Sequence, residues 1–248
     1  MALFRRKPQS TAGALPGPGP SAGPAQSPPT SQEAEVFAGG LEGVRPQLLP
    51  RLRRADQLAD REDFLVRDLD GGFLVVLTVR TPNGSWFVRT GQVRRWNADP
   101  AELWSVALHN LRRESVETTL FQPGAGPVWQ VRGGSWTATQ LLRADELTGA
   151  AAPDGCIVAM PGENLLIVHP MVDANTYVRI MELQRVLPRL CGPHGFSDLL
   201  FHWHHGRLSG LRVDERDEDG KTVSVITGSA ELHDVLNRLV TVWTPPAN

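Results

Sequence analysis

Short apolar segments separated by turn-forming residues are the feature that most limits the fold of this chain. Residues 64–69, 73–81 and 85–90 are rich in Val, Leu and Phe, and the sequences Asp-Gly-Gly at 70–72 and Pro-Asn-Gly at 82–84 separate them. Such turn residues accept positive φ and connect adjacent strands over a few residues. The pattern predicts an antiparallel meander, because a parallel sheet would alternate strands and helices regularly.

The second half of the chain repeats this organisation. We predict a short strand at 128–132, a hairpin formed by 156–160 and 164–169, and a second meander formed by 199–204, 207–214 and 221–227. The hairpin turns at Pro161-Gly162-Glu163, and the meander turns at His205-Gly206 and around Asp219-Gly220. Strands therefore occupy both halves of the chain.

Helical patterns lie between these strands. Apolar spacing predicts helices at about 50–59, 100–114, 137–147, 173–190 and 229–240. Asp99, Asp173 and Ser229 are suitable N-cap residues, and Pro100 follows the first of them at the position where proline is favoured. The predicted fold class is α+β, with antiparallel meanders packed against four or five helices.

The N-terminal composition differs from that of the rest of the chain. Between Pro8 and Gln32 the residues are Pro, Gly, Ala, Ser, Thr and Gln with one Leu and no charge, so residues 1–33 are predicted to be a disordered Pro/Gly/Ala-rich tail. Gln122 to Pro127, with two glycines and two prolines, is the best internal hinge. It divides an N-terminal α+β lobe, 41–121, from a C-terminal α+β lobe, 128–248, unless the two form one continuous domain.

Charge and composition restrict the partners and the compartment. The 25 basic and 27 acidic residues give a net charge of −2, so neither nucleic acid nor an anionic membrane is an expected partner. The longest apolar runs, 73–79 and 165–168, fall far short of the roughly 20 residues that span a bilayer. No apolar segment follows Arg5, Arg6 and Lys7, as an export signal requires. Two cysteines fit a reducing cytoplasm.

The densest group of potential ligands is His202-Trp203-His204-His205. On a strand, His202 and His204 would point to one face and could share a metal ion, while Trp203 would pack on the opposite face. No cysteine or carboxylate at a familiar spacing completes the site. We therefore assign no catalytic, cofactor-binding or metal-binding residue and expect no cofactor, but a metal-dependent hydrolase using His202 and His204 stays as the alternative.

Two phrases resemble the uncharacterised bacterial YtpQ-like family. Trp96 to Trp104 leads into Ala107-Leu108-His109-Asn110-Leu111-Arg112, and Asp154-Gly155 precedes Ile157-Val158-Ala159-Met160-Pro161. The resemblance covers roughly 48–211, although Gly162-Glu163-Asn164 stands where an Arg-Asp pair is expected. It implies a cytoplasmic bacterial protein of mixed α and β structure. It supplies no activity, because the family is one of unknown function, and Asn110 enters only as a structural landmark.

The leading functional prediction is a non-enzymatic protein-interaction module whose partner is another protein. It depends on the absence of a complete catalytic motif and on seven tryptophans, which can anchor interfaces although most are usually buried. A third hypothesis is that Arg5, Arg6 and Lys7 recruit the body of the protein to an acidic partner through the tail.

Overall fold

The computed structural model describes residues 31–121, 126–149, 152–192, 195–218 and 221–241. These ranges contain seven α-helices: α1 Ser31–Phe37, α2 Gly40–Val44, α3 Thr90–Trp96, α4 Pro100–Arg112, α5 Ala144–Thr148, α6 Asn175–Leu190 and α7 Ala230–Thr241. Short 3-10 helices occupy Arg45–Gln47, Ala55–Gln57, Arg61–Asp63 and Ala138–Arg143. None of these helices is long and apolar enough to cross a membrane.

Eleven strands form two antiparallel sheets within the described ranges. They are β1 Leu48–Arg54, β2 Val66–Asp70, β3 Phe73–Thr81, β4 Gly84–Phe87, β5 Val116–Phe121, β6 Val128–Gly133, β7 Cys156–Gly162, β8 Leu165–Pro170, β9 Leu200–His204, β10 Arg207–Glu218 and β11 Lys221–Thr227. The predicted α+β class, with antiparallel strands and separate helices, is confirmed.

The smaller sheet is built around β3. Strand β1 pairs along one side of β3, while β2 and β4 pair with successive parts of its other side. Side chains of β3 from Phe73 to Val79 are buried, because the sheet packs on the second sheet with one face and is covered on the other. The predicted strands at 73–81 and 64–69 are confirmed with small shifts of boundary.

The larger sheet has the order β11-β10-β9-β7-β8-β6-β5. Its central strand β7 is buried on both faces, and its side chains alternate between two hydrophobic clusters. Cys156, Val158 and Met160 face the smaller sheet, where they pack with Val75 of β3 and other side chains. This cluster contains residues of both predicted lobes, so the two lobes contact each other through a common core.

The second cluster lies on the opposite face of the larger sheet. Ile157 of β7 and Ile167 of β8 pack there with Ile180 and Leu183 of α6. Helix α7 adds Leu232, Val235 and Leu236 over the half of the sheet that carries β10 and β11. The molecule therefore has three layers: the smaller sheet with α4, the larger sheet, and the pair α6 and α7.

The helix predicted from about Pro50 to Ala59 is wrong. Residues 48–54 instead form β1, in which Pro50 is the register partner of Leu77 of β3. Because β1 is an edge strand, the missing N–H of Pro50 need not leave a carbonyl unpaired in the sheet. The leucines at 48, 49 and 52 fit a helical spacing, but they are equally compatible with a strand whose two faces are both buried.

Several other elements differ from the sequence prediction. Helices α1, α2 and α3 have no predicted counterpart, and α1 includes the last residues of the predicted tail, whose residues 1–30 lie outside the described ranges. The helix predicted at 137–147 is a 3-10 helix followed by the short α5. Strand β5 also has no predicted counterpart. Of the predicted hinge, residues 122–125 lie outside the described part of the chain.

Gly155, which precedes β7, provides a test of how closely β9 packs against the start of β7. Its φ is +81°, and a Cβ there would clash with the Trp203 carbonyl oxygen and lie 3.0 Å from His202 Nε2. Gly72 also has φ +81° but has no atom within 4 Å of such a Cβ. We expect Gly72→Ala to cost about 1 kcal/mol and Gly155→Ala about 3 kcal/mol or more in urea unfolding. Equal losses would contradict the close approach of β9.

Candidate functional site

His202 and His204 lie on the same face of β9, as predicted. Their rings are nearly parallel, with centroids 5.5 Å apart. Trp203 points to the opposite face and is buried in the cluster between the two sheets. The predicted division of this segment between a histidine face and a tryptophan face is confirmed.

Three of the four ring nitrogens of these two histidines have hydrogen-bond partners. His202 donates from Nε2 to the Asp154 carbonyl oxygen at 2.9 Å, and Nε2 of His204 is 2.9 Å from the Pro153 carbonyl oxygen. Nδ1 of His204 lies 2.7 Å from Glu231 Oε1 at the start of α7. These contacts attach β9 to the segment before β7 and to α7. The described ranges contain no group of three His, Cys, Asp or Glu side chains arranged to hold a metal ion.

Asn110 and the two cysteines, Cys156 and Cys191, have structural surroundings. Asn110 donates from Nδ2 to the carbonyl oxygens of Arg45 and Leu48, both at 2.9 Å, so its amide is satisfied by backbone. Burial raises the pKa of the Cys156 thiol to about 12, which leaves almost no nucleophilic thiolate at neutral pH. Burial also raises the pKa of Cys191, whose thiol donates to the Ser197 carbonyl oxygen.

The tryptophans do not provide the expected interface anchors. Trp104 and Trp203 are buried, and Trp86, Trp96 and Trp129 are partly buried against the core. Trp136 is also partly buried, with the guanidinium carbons of Arg51 and Arg80 5.5 and 5.6 Å from its ring centroid. No tryptophan of the described ranges is exposed, and Trp243 lies outside them.

An exposed apolar groove lies instead between α6 and the end of the larger sheet. We call it the docking groove. It has a volume of about 430 Å³ and is lined by Phe121, Val128, Arg179, Glu182, Leu183, Arg185 and Val186. Phe121 of β5 is 47% exposed and Val186 of α6 is 42% exposed. Two large apolar side chains therefore border one groove from two different elements.

The position of α6 explains why this groove is open. Helix α6 contacts β7, β8 and β9, whereas β5 at the end of the sheet is exposed from Glu117 to Phe121. Phe121 is the register partner of Val128, so both side chains lie on the face that carries α6. The floor of the docking groove is thus the part of this face that α6 does not reach.

Basic side chains lie on the helix and the strand that form the groove, α6 and β6. Arg185 and Arg189 lie one turn apart on α6, and Arg132 lies on the same face of β6 as Val128. All three are exposed, and none of their side chains forms an ion pair or hydrogen bond with another described residue. Arg179 pairs with Glu182 and donates to the Gly126 carbonyl oxygen at 2.8 Å. The docking groove therefore combines an apolar floor with a predominantly basic rim.

The sequence of α6 carries a signal for this surface that the sequence-based prediction does not use. The buried stripe of α6 is Ile180, Leu183 and Leu187. Val178, Val186 and Leu190 form a second apolar row at helical spacing, and all three are exposed. A helix with apolar residues on more than its core-facing side indicates an additional contact surface.

Two buried histidines predict how the folding stability depends on pH. Burial lowers the pKa of His169 and of His202, so the unfolded chain binds protons more readily. Stability should be complete above the unfolded-state pKa of about 6.5 and should decline as the pH falls below it towards the lowered folded-state pKa of these histidines. His202→Gln cannot be protonated but can still donate to Asp154, so it should flatten the dependence of unfolding free energy on pH.

Urea titrations at a series of pH values measure this effect. His109→Gln, on the exposed side of α4, is the matched control and should keep the wild-type slope. The same slope in His202→Gln as in the wild type would contradict a neutral, buried His202.

The phrases that resemble the YtpQ-like family occupy defined positions. Trp96 to Trp104 spans the end of α3, the Asp99 cap and the start of α4, where Asp99 Oδ1 accepts from the Ala101 amide at 2.9 Å. The second phrase forms the end of the segment before β7 and β7 itself. No family model, no curated protein and no solved structure matches the chain. The family resemblance therefore stays a prediction based on these short phrases.

Proposed function

We propose that this chain is a non-enzymatic, cytoplasmic protein-interaction module that binds a helical segment of a partner protein in the docking groove. The observation that carries the proposal is the exposed apolar floor shared by Phe121 and Val186. Membership of the YtpQ-like bacterial family is part of the same proposal and rests on the phrases at 96–112 and 154–161. The two free thiols, Cys156 and Cys191, agree with a reducing compartment.

The dimensions of the surface suit a helix. Adjacent strands lie about 4.8 Å apart and a helix with its side chains is about 10 Å wide, so two strands support one helix. Strands β5 and β6 provide this width beside α6. An amphipathic helix placed there would cover Phe121 with one side and contact Val186 with the other, as helices do in hydrophobic grooves.

The charges define the partner further. Three exposed arginines, at 132, 185 and 189, lie on the elements that form the docking groove, whereas the buried Arg179 pairs with Glu182 and Glu117 is the register partner of Arg132. An acidic amphipathic helix complements this rim, whereas a basic helix would be repelled. The same groove of a second copy is a poor partner, because it would bring like charges together.

A binding experiment with defined peptides tests the proposal. The probe is a fluorescein-labelled, 18-residue amphipathic helix with leucines on one face and glutamates on the other. We expect the acidic peptide to bind, with affinity that falls as salt increases. The same peptide with lysine in place of every glutamate should bind at least about tenfold more weakly. Fluorescence anisotropy measures both affinities.

A pair of variants locates the binding site. Val186→Asp places a carboxylate beside Phe121 and should weaken binding of the acidic peptide by about tenfold or more. Val240→Asp is the matched control, because Val240 is a 52% exposed valine on α7, outside the docking groove. Equal effects of the two substitutions, equal binding of both peptides, or no binding of either would contradict the proposed function.

A further inference from the structure

The outer edge of β5 is a second surface, distinct from the docking groove. This strand ends the larger sheet, and within the described part of the chain only its inner side is paired, with β6. The six register pairs from Val116 to Phe121 run without a bulge, and the strand contains neither proline nor lysine. Bulges, prolines and lysines are the features that normally prevent an edge strand from pairing with another chain.

The opposite edge of the same sheet differs in charge. Strand β11 begins at Lys221 and pairs with residues 212–218 of β10, of which six of the seven are charged. Strand β5 contains one charged residue, Glu117, and its C-terminal end carries Leu120 and Phe121, which are 46% and 47% exposed. The end of the sheet formed by β5 and β6 therefore carries fewer charged side chains than the end formed by β10 and β11.

We propose that the β5 edges of two copies of this chain pair antiparallel about a twofold axis at Thr118, forming a homodimer. This register places Thr118 beside Thr118 of the second copy and Val116 beside Leu120 of the second copy. Threonine pairs and aliphatic pairs directly opposite one another both stabilise antiparallel strands. Glu117 lies opposite Thr119, and in its own chain it is the partner of Arg132.

Other registers are less favourable. An antiparallel pair must place side chains of the same face opposite each other, so the axis has to pass through a residue position. An axis at Thr119 would place Glu117 opposite the Phe121 ring and Thr118 opposite Leu120. The Thr118 register instead pairs Thr118 with Thr118 and Val116 with Leu120, and it joins the two sheets into one sheet of fourteen strands.

The β5 edge and the docking groove can both be occupied at the same time. Thr118 lies on the face of the sheet that carries Val131, whereas Phe121 lies on the face that carries α6. A twofold axis perpendicular to the sheet leaves both docking grooves on the same side of the dimer. Dimerisation and peptide binding can therefore be measured separately, and neither proposal depends on the other.

Two lysine substitutions give opposite expected results. Thr118→Lys places two like charges at the axis and should weaken dimerisation by about tenfold or more, whereas Thr119→Lys faces Glu117 of the second copy and should preserve or strengthen it. Both threonines are exposed on the same strand, so their effects on folding are matched. Sedimentation velocity of the full chain, from about 1 to about 200 µM, measures the association.

Three results would overturn the proposal. A wild-type chain that is monomeric at every concentration, or a dimer that Thr118→Lys leaves intact, contradicts pairing through β5. Loss of the dimer in Thr119→Lys but not in Thr118→Lys contradicts the Thr118 register. Binding of the acidic peptide by the Thr118→Lys monomer, with wild-type affinity per chain, is expected and distinguishes failure of dimerisation from failure of the docking groove.

Discussion

Burial of β7 on both faces is the constraint on which the rest of the structure depends. Its alternating side chains supply both hydrophobic clusters, so each face of the larger sheet needs its own cover. The same constraint determines the chemistry of the neighbouring histidines. His169 and His202 are both register partners of Ile157, on the face beneath α6, and both donate to backbone carbonyl oxygens. The hydrogen bonds of these ring nitrogens compensate for burying the two imidazoles, so few ring nitrogens stay available to bind a ligand.

The location of the docking groove follows from the widths of the layers. Seven strands at about 4.8 Å spacing span about 29 Å, whereas two helices of about 10 Å each cover about 20 Å. Helices α6 and α7 lie over the region from β8 to β11, so the uncovered width falls at β5 and β6. The exposed apolar side chains are therefore concentrated at one end of the sheet. This is why Phe121, not a tryptophan, is the aromatic side chain that lines the docking groove.

Sequence reasoning succeeded where local pattern and tertiary environment agree. The hairpin of β7 and β8, the helices α4, α6 and α7, and the caps at Asp99 and Ser229 all have local signals that the packing preserves. The cap predicted at Asp173 is displaced by one residue, because the N-cap of α6 is Ala174 and Asp173 accepts from the Asn175 amide. It failed at β1, because closely spaced leucines fit a helix as well as a strand buried on both faces. It also missed β5, whose exposed side chains show no alternation. The docking groove depends on β5, so it could not be predicted without the order of the strands.

One part of the larger sheet, β9 to β11, joins the other part where β9 pairs with β7. Strands β7 and β9 share four register pairs, and between them in the chain lie β8 and the whole of α6. Hairpins close over a few residues, but this junction, like the pairing of β6 with β8, requires the chain to return after a long excursion. Loop-closure entropy makes such non-local pairing slow relative to hairpin formation. Completion of the hydrophobic layer beneath α6 therefore waits for this junction, and until then the apolar sides of both helices face water during folding.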